Sequence, residues 1–419
     1  MSSSQARLQS LAGQLTPAAG KKNALFNKND DDVVITLALR TPLTKARKGY
    51  LKDTKLDELL LPVLTAIKEK SKLDPSLVEE IVLGNVLHPS STFVIRTAAI
   101  AAGFPATAAA STVSRWCSSG LLAVQSVANQ ISAGCIDIGI AIGAESMSTN
   151  PDTGAPDLSE KVLNHKVAFE ATQLMGWTSE NVAGDFGITR EAQDAFAAGS
   201  QQKAEKSQKG GWPVDEIIPI TTQWKNPATG NVETVVADRD DGVRYGTTKE
   251  ALGKIKAAFP QWKPSTTTGG NASQITDGAA GLLLMRRSVA NQLGQPILAK
   301  FAASTVTGLE PRVMGIGPTI AIPKLLSKVG LSLEDIDIFE INEAFASMGV
   351  YCVEKLGLDP AKVNPRGGAI AFGHPLGCTG ARQIVTALSE LKRQKKRVAV
   401  TSMCVGTGMG MASLIISEQ

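Results

Sequence analysis

Two stretches of this sequence run through the same order of events. "LVEEIVLGNVL", Leu77–Leu87, and "DIDIFEINEAF", Asp335–Phe345, are each an acidic turn feeding an apolar strand, which ends at Gly84 in the first and at Asn342 in the second. After a similar interval each meets a glycine-flanked helix start, "CSSGLLAVQSVANQ" from Cys117 and "GCTGARQIVTALSEL" from Gly377. Each helix leads to a strand and a polar turn, "IDIGIAIGAESM" in one case and "VAVTSMCVGTGMG" in the other. A chain that repeats an alternating β and α unit builds the same packing twice, which predicts an α/β protein with two similar, duplicated βα domains. Pairing of two such halves turns equivalent strand ends toward one shared cleft.

The rest of the chain fits around that duplication. At 419 residues it is too long for one ordinary core. The first thirty residues carry no acid before Asp30 and read as a leader, 1–30. An N-terminal domain is expected over 31–290 and a C-terminal domain over 291–419. Between about 150 and 273 the sequence turns polar and rich in Gly, Pro and Thr, with "KNPATGN" as a turn, and reads as an inserted loop-rich subdomain. An apolar content of 43% with 20% charged residues describes a soluble globular protein, and a net charge of +4 with no basic block interleaved by aromatics gives no reason to expect nucleic acid. No apolar run is long enough for a membrane span, since "GAAGLLLM" is cut off by Arg286 and Arg287. Five scattered cysteines do not make a disulfide framework, and three histidines without a Cys-x-x-Cys pair give little support for structural zinc.

Chemistry-bearing residues gather at the repeated turns. In "SRWCSSG" Cys117 stands before Leu121, Val124, Ala128 and Ile131 at helical spacing, with Leu122 and Val127 widening the apolar face and Gly134 as a stop. Position alone leaves two readings open, an inert buried thiol and a nucleophile whose thiolate is favoured by the free N–H groups and dipole of the helix mouth. Cys117, Asn342, His374 and Cys404 all fall at strand ends or helix starts in corresponding turns, where α/β folds place ligands. Acyl transfer through a thioester would use all four. A cysteine nucleophile needs a base, which suits His374, and carbon–carbon cleavage beside a carbonyl needs a second proton carrier, which suits Cys404. Two oxyanions develop along that path. The glycine-rich turn "CVGTGMG" with the Cys117 N–H can serve one, and His374 with a water held by Asn342 the other.

"CSSGLLAV", "NEAFA", "GGAIAFGHPLGCTGARQ" and "CVGTGMG" occur in an order and spacing by which the chain, from about Asp32 to its C-terminus, resembles the thiolases, and among them the fungal peroxisomal 3-ketoacyl-CoA branch. The resemblance implies a five-layer αβαβα thiolase-like fold and thiolytic cleavage of 3-ketoacyl-CoA by coenzyme A, the last step of fatty-acid β-oxidation. Cys117 matches the acylated nucleophile, His374 its activator and Cys404 the second proton carrier. Asn342 matches the water-holding asparagine and Gly406 an oxyanion-hole amide. Arg244 and Ser273 match contacts to the adenine and pantetheine of coenzyme A, and Met175 and Phe345 match acyl-pocket residues. Coenzyme A is implied as co-substrate, with no permanently bound cofactor and no metal, and a homodimer is implied as the assembly. Ser114 and Trp116 depart from the residues usual before the nucleophile. Leu174, where some biosynthetic acetoacetyl-CoA members have histidine, favours the degradative type. The alternatives are a biosynthetic or decarboxylating condensing enzyme and an inactive thiolase-like acyl-CoA-binding protein.

The leader carries its own signal. "RLQSLAGQL" fits the peroxisomal type 2 targeting pattern, with Arg7 and Leu8 at one end and Gln14 and Leu15 at the other, and drawn as a helix it lines Leu8, Leu11 and Leu15 on one face. The expected partner is the receptor for that signal, and the expected location the peroxisomal matrix. A mitochondrial presequence is the rival, weakened because Arg7 is the leader's single arginine.

Overall fold

A computed structural model of the protein describes residue 22 and residues 24–419, so the signal residues Arg7, Leu8, Gln14 and Leu15 lie outside the described residues. The first half opens with β1 (Val33–Arg40) and the short β2 (Thr44–Lys45), followed by helix α1 (Leu56–Ser71) and β3 (Glu80–Gly84). Helix α2 (Ser91–Ala101), β4 (Ala109–Val113), α3 (Ser119–Ser132) and β5 (Ile138–Ser146) come next. Between β5 and the strand that completes this half lie α4 (Met175–Asp185), α5 (Arg190–Lys209) and the hairpin β6 (Ile220–Lys225) and β7 (Val232–Ala237), and then β8 (Thr276–Arg286). The second half runs β9 (Ala299–Gly308), α6 (Gly317–Val329), β10 (Ile338–Ile341), α7 (Ala346–Leu356), α8 (Thr379–Gln394), β11 (Val398–Val405) and β12 (Met409–Ser417).

The halves repeat one topology. β3 pairs parallel with β5, which pairs antiparallel with β8, and β8 with β1; likewise β10 pairs parallel with β11, β11 antiparallel with β12, and β12 with β9. A short antiparallel contact of β1 with β9, Val34 to Lys300 and Ile35 to Ala299, joins the two sheets.

Side-chain alternation along the strands sorts the core into layers. Val34, Ile81, Leu83, Ile140, Ile142 and Leu283 face outward onto α1 and α2. Their neighbours Ile35, Val82, Ala141, Leu282 and Leu284 face inward onto α3 and α8, as Met403, Val405, Met411 and Ile415 do from the second sheet. Val400, Ala412 and Leu414 face outward again, onto α6. Two strand layers, each covered on both faces, give five layers with α3 and α8 buried in the middle. Central strands such as β8 therefore read as continuous apolar runs. No helix among the described residues is long and apolar enough to cross a membrane.

The segment after β5 contains more regular structure than its composition implies. α5 is capped by Thr189, whose side chain accepts from the Ala192 N–H, and it buries Gln193, Asp194, Ser200 and Gln201 along with Ala197, Ala198 and Ala204. Most of those polar groups are paired: Asn271 donates to Asp194, Ser200 to Glu343, and Gln201 to the Ile370 carbonyl, while the Gln193 Oε1 has no partner among the described residues. A helix buried through hydrogen bonds carries no apolar periodicity, which is why the sequence looks loop-like there.

A fully buried charge network ties this segment to both halves. Arg40 on β1 grips Asp240 with two N–H bonds and Glu216 with a third, and Arg366 bonds Glu390 of α8 at 2.7 Å and Glu216 at 3.4 Å. Each side chain is at most 3% exposed. Removing one charge strands its partners away from water. Arg366→Met, similar in length but uncharged, is expected to destabilise the protein by about 3–5 kcal/mol, read as a lowered urea midpoint.

Candidate active site

The turn before α3 places Cys117 at the centre of the molecule. Trp116 adopts a left-handed backbone conformation, φ 42°, and Ser119 locks the turn by accepting the Arg115 N–H at 2.9 Å and donating to the Trp116 carbonyl at 2.7 Å. α3 then buries Leu121, Val124, Val127, Ala128 and Ile131 as its spacing predicts, and Gly134 follows it with φ 73°. Gly406, in the turn after β11, lines the same cavity as Cys117, and its N–H favours the Cys117 thiolate. Together Trp116, Cys117, Met175, Leu376, Gly406 and Thr407 line a cavity of about 370 Å³, with further lining from residues between Asp152 and Leu174.

The expectation of a resting thiolate is corrected here. Burial pushes the Cys117 thiol up to about 11, opposed by the Gly406 N–H and assisted by the negative charges of Asp152 and Glu145. A sulfur this far from water loses more hydration than a helix mouth returns.

His374 arrives from the opposite half, in the turn before α8. Gly373 precedes it with φ 99°, and a Cβ there would collide with Thr276. The His374 N–H is held by the Gln274 carbonyl at 2.9 Å, with the Thr276 hydroxyl at 3.2 Å. The imidazole tautomer follows from its partners. Thr379, the first residue of α8, donates its hydroxyl to the Pro375 carbonyl at 3.0 Å, so at 2.6 Å from His374 Nδ1 it accepts, and Nδ1 carries the proton. Nε2 is then the basic nitrogen, and the Asn342 amide donates to it at 3.2 Å. Burial and the positive charge of Arg382 lower this imidazole to about 3.

Asn342 stands at the end of β10, its N–H bound to the Ser402 carbonyl, and its Oδ1 is buried without a partner among the described residues. Its neighbour Glu343 anchors that strand end by accepting from Ser200, Asn364 and the Ile370 N–H. Cys404, 1% exposed on β11, packs with Met348, Val313 and Ala344, and Met175 and Phe345 border the same cluster. Burial and the neighbouring Cys117 raise its thiol well above the ordinary range.

Ser273 and Arg244 do not line the cavity. Ser273 is half-buried and donates its N–H to the Ala344 carbonyl beside Phe345, while Arg244 is exposed on the inserted segment and points an N–H at the Gly269 carbonyl. Sequence reasoning missed Thr379 and Glu343. The first had a readable signal, a hydroxyl at the helix start five residues after the histidine. Because the unfolded imidazole titrates near 6.5 and the folded one near 3, the unfolded chain binds the extra proton in between, and stability falls as pH drops through that window. In ¹⁵N NMR His374 is expected to hold the neutral Nδ1–H form without titrating from pH 8 to pH 5.

Comparison with known proteins bears on the whole chain. A family model described as "Thiolase, N-terminal domain" matches residues 33–288, and one described as "Thiolase, C-terminal domain" matches 295–417. A peroxisomal 3-ketoacyl-CoA thiolase of Yarrowia lipolytica is 52% identical over 98% of this chain and 100% of its own length. The crystal structure of the dimeric peroxisomal thiolase of Saccharomyces cerevisiae superposes with a TM-score of 0.87 at 46% identity, covering 95% of this chain and all of that one. Another structure of the yeast peroxisomal 3-ketoacyl-CoA thiolase, described as five-layered and built from two core domains of identical topology, matches with a TM-score of 0.76 at 42% identity, covering 94% of this chain and all of that one. The layering and repeated sheet order seen here are the same, and with both family models matched across nearly its whole length the chain belongs to the thiolase family.

Proposed function

We propose that this protein cleaves 3-ketoacyl-CoA with coenzyme A, giving acetyl-CoA and an acyl-CoA shortened by two carbons, in the peroxisome as the last step of β-oxidation. The observation that carries this reading is a buried Cys117 that lines the cavity with Gly406 and with Leu376 of the His374 turn, and that has a second buried cysteine, Cys404, as its neighbour. The near-full-length likeness to peroxisomal 3-ketoacyl-CoA thiolases supports the substrate class and the location.

In this reading the Cys117 proton moves to His374 Nε2 as sulfur attacks the ketone carbon. A raised thiol and a lowered imidazole disfavour the ion pair before substrate arrives, so proton transfer accompanies attack, when the new oxyanion supplies the compensating charge. The bond between the ketone carbon and the acetyl carbon then breaks, leaving the acyl group on Cys117. Cys404 gives its proton to the departing acetyl-CoA carbanion and afterwards takes one from coenzyme A, whose sulfur displaces the acyl group while His374 returns its proton to the released Cys117 sulfur. The Gly406 and Cys117 N–H groups serve the oxyanion on the carbon that Cys117 attacks. His374 Nε2, with a water held by the unpartnered Asn342 Oδ1, serves the other. Met175 and Phe345 border the acyl group, and Arg244 and Ser273 hold coenzyme A farther out. Coenzyme A acts as co-substrate, and no resident cofactor enters the scheme. An inactive binding protein would have lost one of Cys117, His374 and Cys404, and all three are present.

The division into a leader over 1–30, an N-terminal domain over 31–290 with its insertion, and a C-terminal domain over 291–419 belongs to this reading. So do a homodimer, as the yeast relative is described, and import by the type 2 signal receptor through Arg7, Leu8, Gln14 and Leu15. Fusing residues 1–30 to a fluorescent reporter is expected to give peroxisomal puncta that Leu8→Arg abolishes, and mitochondrial tubules would overturn the assignment.

The activity is tested by steady-state rates with acetoacetyl-CoA and a long-chain 3-ketoacyl-CoA, each with coenzyme A. Failure to cleave either while coenzyme A still binds would return the binding-protein alternative. Cys117→Ser is expected to fold yet not turn over, because a serine hydroxyl is a far weaker nucleophile. His374→Ala should slow acylation by about 10²–10⁴-fold, whereas Cys404→Ala should accumulate acyl-enzyme visible by mass spectrometry. The reverse pattern would exchange the two roles.

A further inference from the structure

Glu145, near the end of β5, is fully buried and meets no basic side chain among the described residues. Four donors surround its carboxylate. Asn85 Nδ2 and the Leu87 N–H reach Oε1 at 2.9 and 3.1 Å, and the Val86 and Gly377 N–H groups reach Oε2, both at 3.0 Å. Three of these come from the turn after β3 in the same half. The fourth comes from the other half, at the end of the His374–Gly377 turn.

The repeat explains why that fourth donor exists. Cys117 lies three residues before Gly120 near the start of α3, and Gly377 three before Gly380 near the start of α8, so the two occupy equivalent helix mouths. Such mouths gather N–H groups that seek an anion. At the first mouth Cys117 opens onto the cavity. At the second, the protein's own carboxylate fills the place. Burial raises Glu145 to about 7, and its N–H donors pull it back toward the ionised form.

We propose that Glu145 is a positioning residue. Anchored by the turn after β3, its carboxylate fixes the His374–Gly377 turn through the Gly377 N–H, and so sets where the imidazole stands against the nucleophile. This rests on the reading of His374 as the base for Cys117. The same turn places Leu376 in the cavity wall with Cys117, so its displacement would be felt at the sulfur. A carboxylate suits the task because it accepts from all four donors at once. An amide in its place offers one acceptor oxygen and turns an NH₂ group against N–H donors.

The test is Glu145→Gln in the full-length enzyme, read first by the rate at which iodoacetamide alkylates Cys117 at neutral pH. Loss of the charge alone would ease thiolate formation and speed alkylation, since the Glu145 charge opposes the Cys117 thiolate. Displacement of His374 does the opposite, and a slowing of about tenfold or more is expected, with kcat falling by about 10–100-fold and KM for coenzyme A staying within about twofold. In a His374→Ala background the same substitution should no longer slow alkylation, leaving it unchanged or faster, because the slowing passes through the imidazole and only the loss of charge remains. Unchanged or faster alkylation in folded Glu145→Gln, or an equal slowing without His374, would overturn the proposal. Should Glu145→Gln not fold, Gly377→Ala displaces the same turn from the other side, as its Cβ would lie 2.6 Å from the Ala144 carbonyl and 2.7 Å from that of Gly84. It carries the same expectation, and normal alkylation would refute it. If the wild type cleaves no 3-ketoacyl-CoA, the thiolysis reading falls while the alkylation comparison still decides the role of Glu145.

Discussion

The mouths of α3 and α8 touch through glycine, and the active cleft exists because of that contact. A Cβ on Gly120 would sit 2.6 Å from the Gly377 carbonyl and 2.9 Å from the Ala381 N, and one on Gly143 would lie 2.5 Å from the same carbonyl. Gly380 packs as closely on Leu121. No larger residue fits at these points without moving backbone. The close approach brings the Cys117 turn from one half against the His374 turn from the other, in the one layer that both sheets bury. A wider helix pair would leave both turns intact and separate them.

Holding such a layer in place calls for directional interactions, because apolar packing alone tolerates small slips between similar faces. The network of Arg40, Glu216, Asp240, Arg366 and Glu390 supplies direction at the rim of the central layer, linking β1, the inserted segment and α8. Glu145 supplies it at the cleft itself. Buried charges of this kind contribute little net stability over well-packed apolar groups, and they are costly to break singly. Their effect is to make one relative placement of the halves far better than its neighbours.

Seclusion also sets the electrostatics of the cleft. Raising a thiol from its ordinary 9.0 to about 11 corresponds to about 3 kcal/mol against the thiolate, while a helix mouth returns about 0.3–1 kcal/mol at exposed sites. Burial prevails, so Cys117 and His374 rest as neutral groups, with a protonated sulfur and an unprotonated imidazole. A protonated sulfur is alkylated and oxidised more slowly than a resting thiolate would be. It ties reactivity to the arrival of a carbonyl that can take the developing charge.

Much of this was legible before any coordinates. The duplicated strand and helix units, the buried face of α3, the strand ends at Gly84 and Asn342, and the meeting of Asn342 with His374 all follow from periodicity and from glycine placement, because those patterns encode local geometry. The helical character of the segment around α5 was hidden, since Asp194 and Ser200 satisfy their burial with partners distant in the chain. Hidden for the same reason was Glu145 gripping Gly377 across 232 residues, whereas Thr379, five residues after the histidine whose tautomer it sets, was readable and overlooked. The sign of the Cys117 shift also escaped, because a local reading sees the helix mouth and not the second sheet that closes over it. The sequence by itself determined the repeat, the elements and the identities of the reactive groups, since these are properties of neighbouring residues. Only the tertiary structure decided which protons they hold and what keeps them together, since both depend on how much water the packing of the two halves leaves at the cleft.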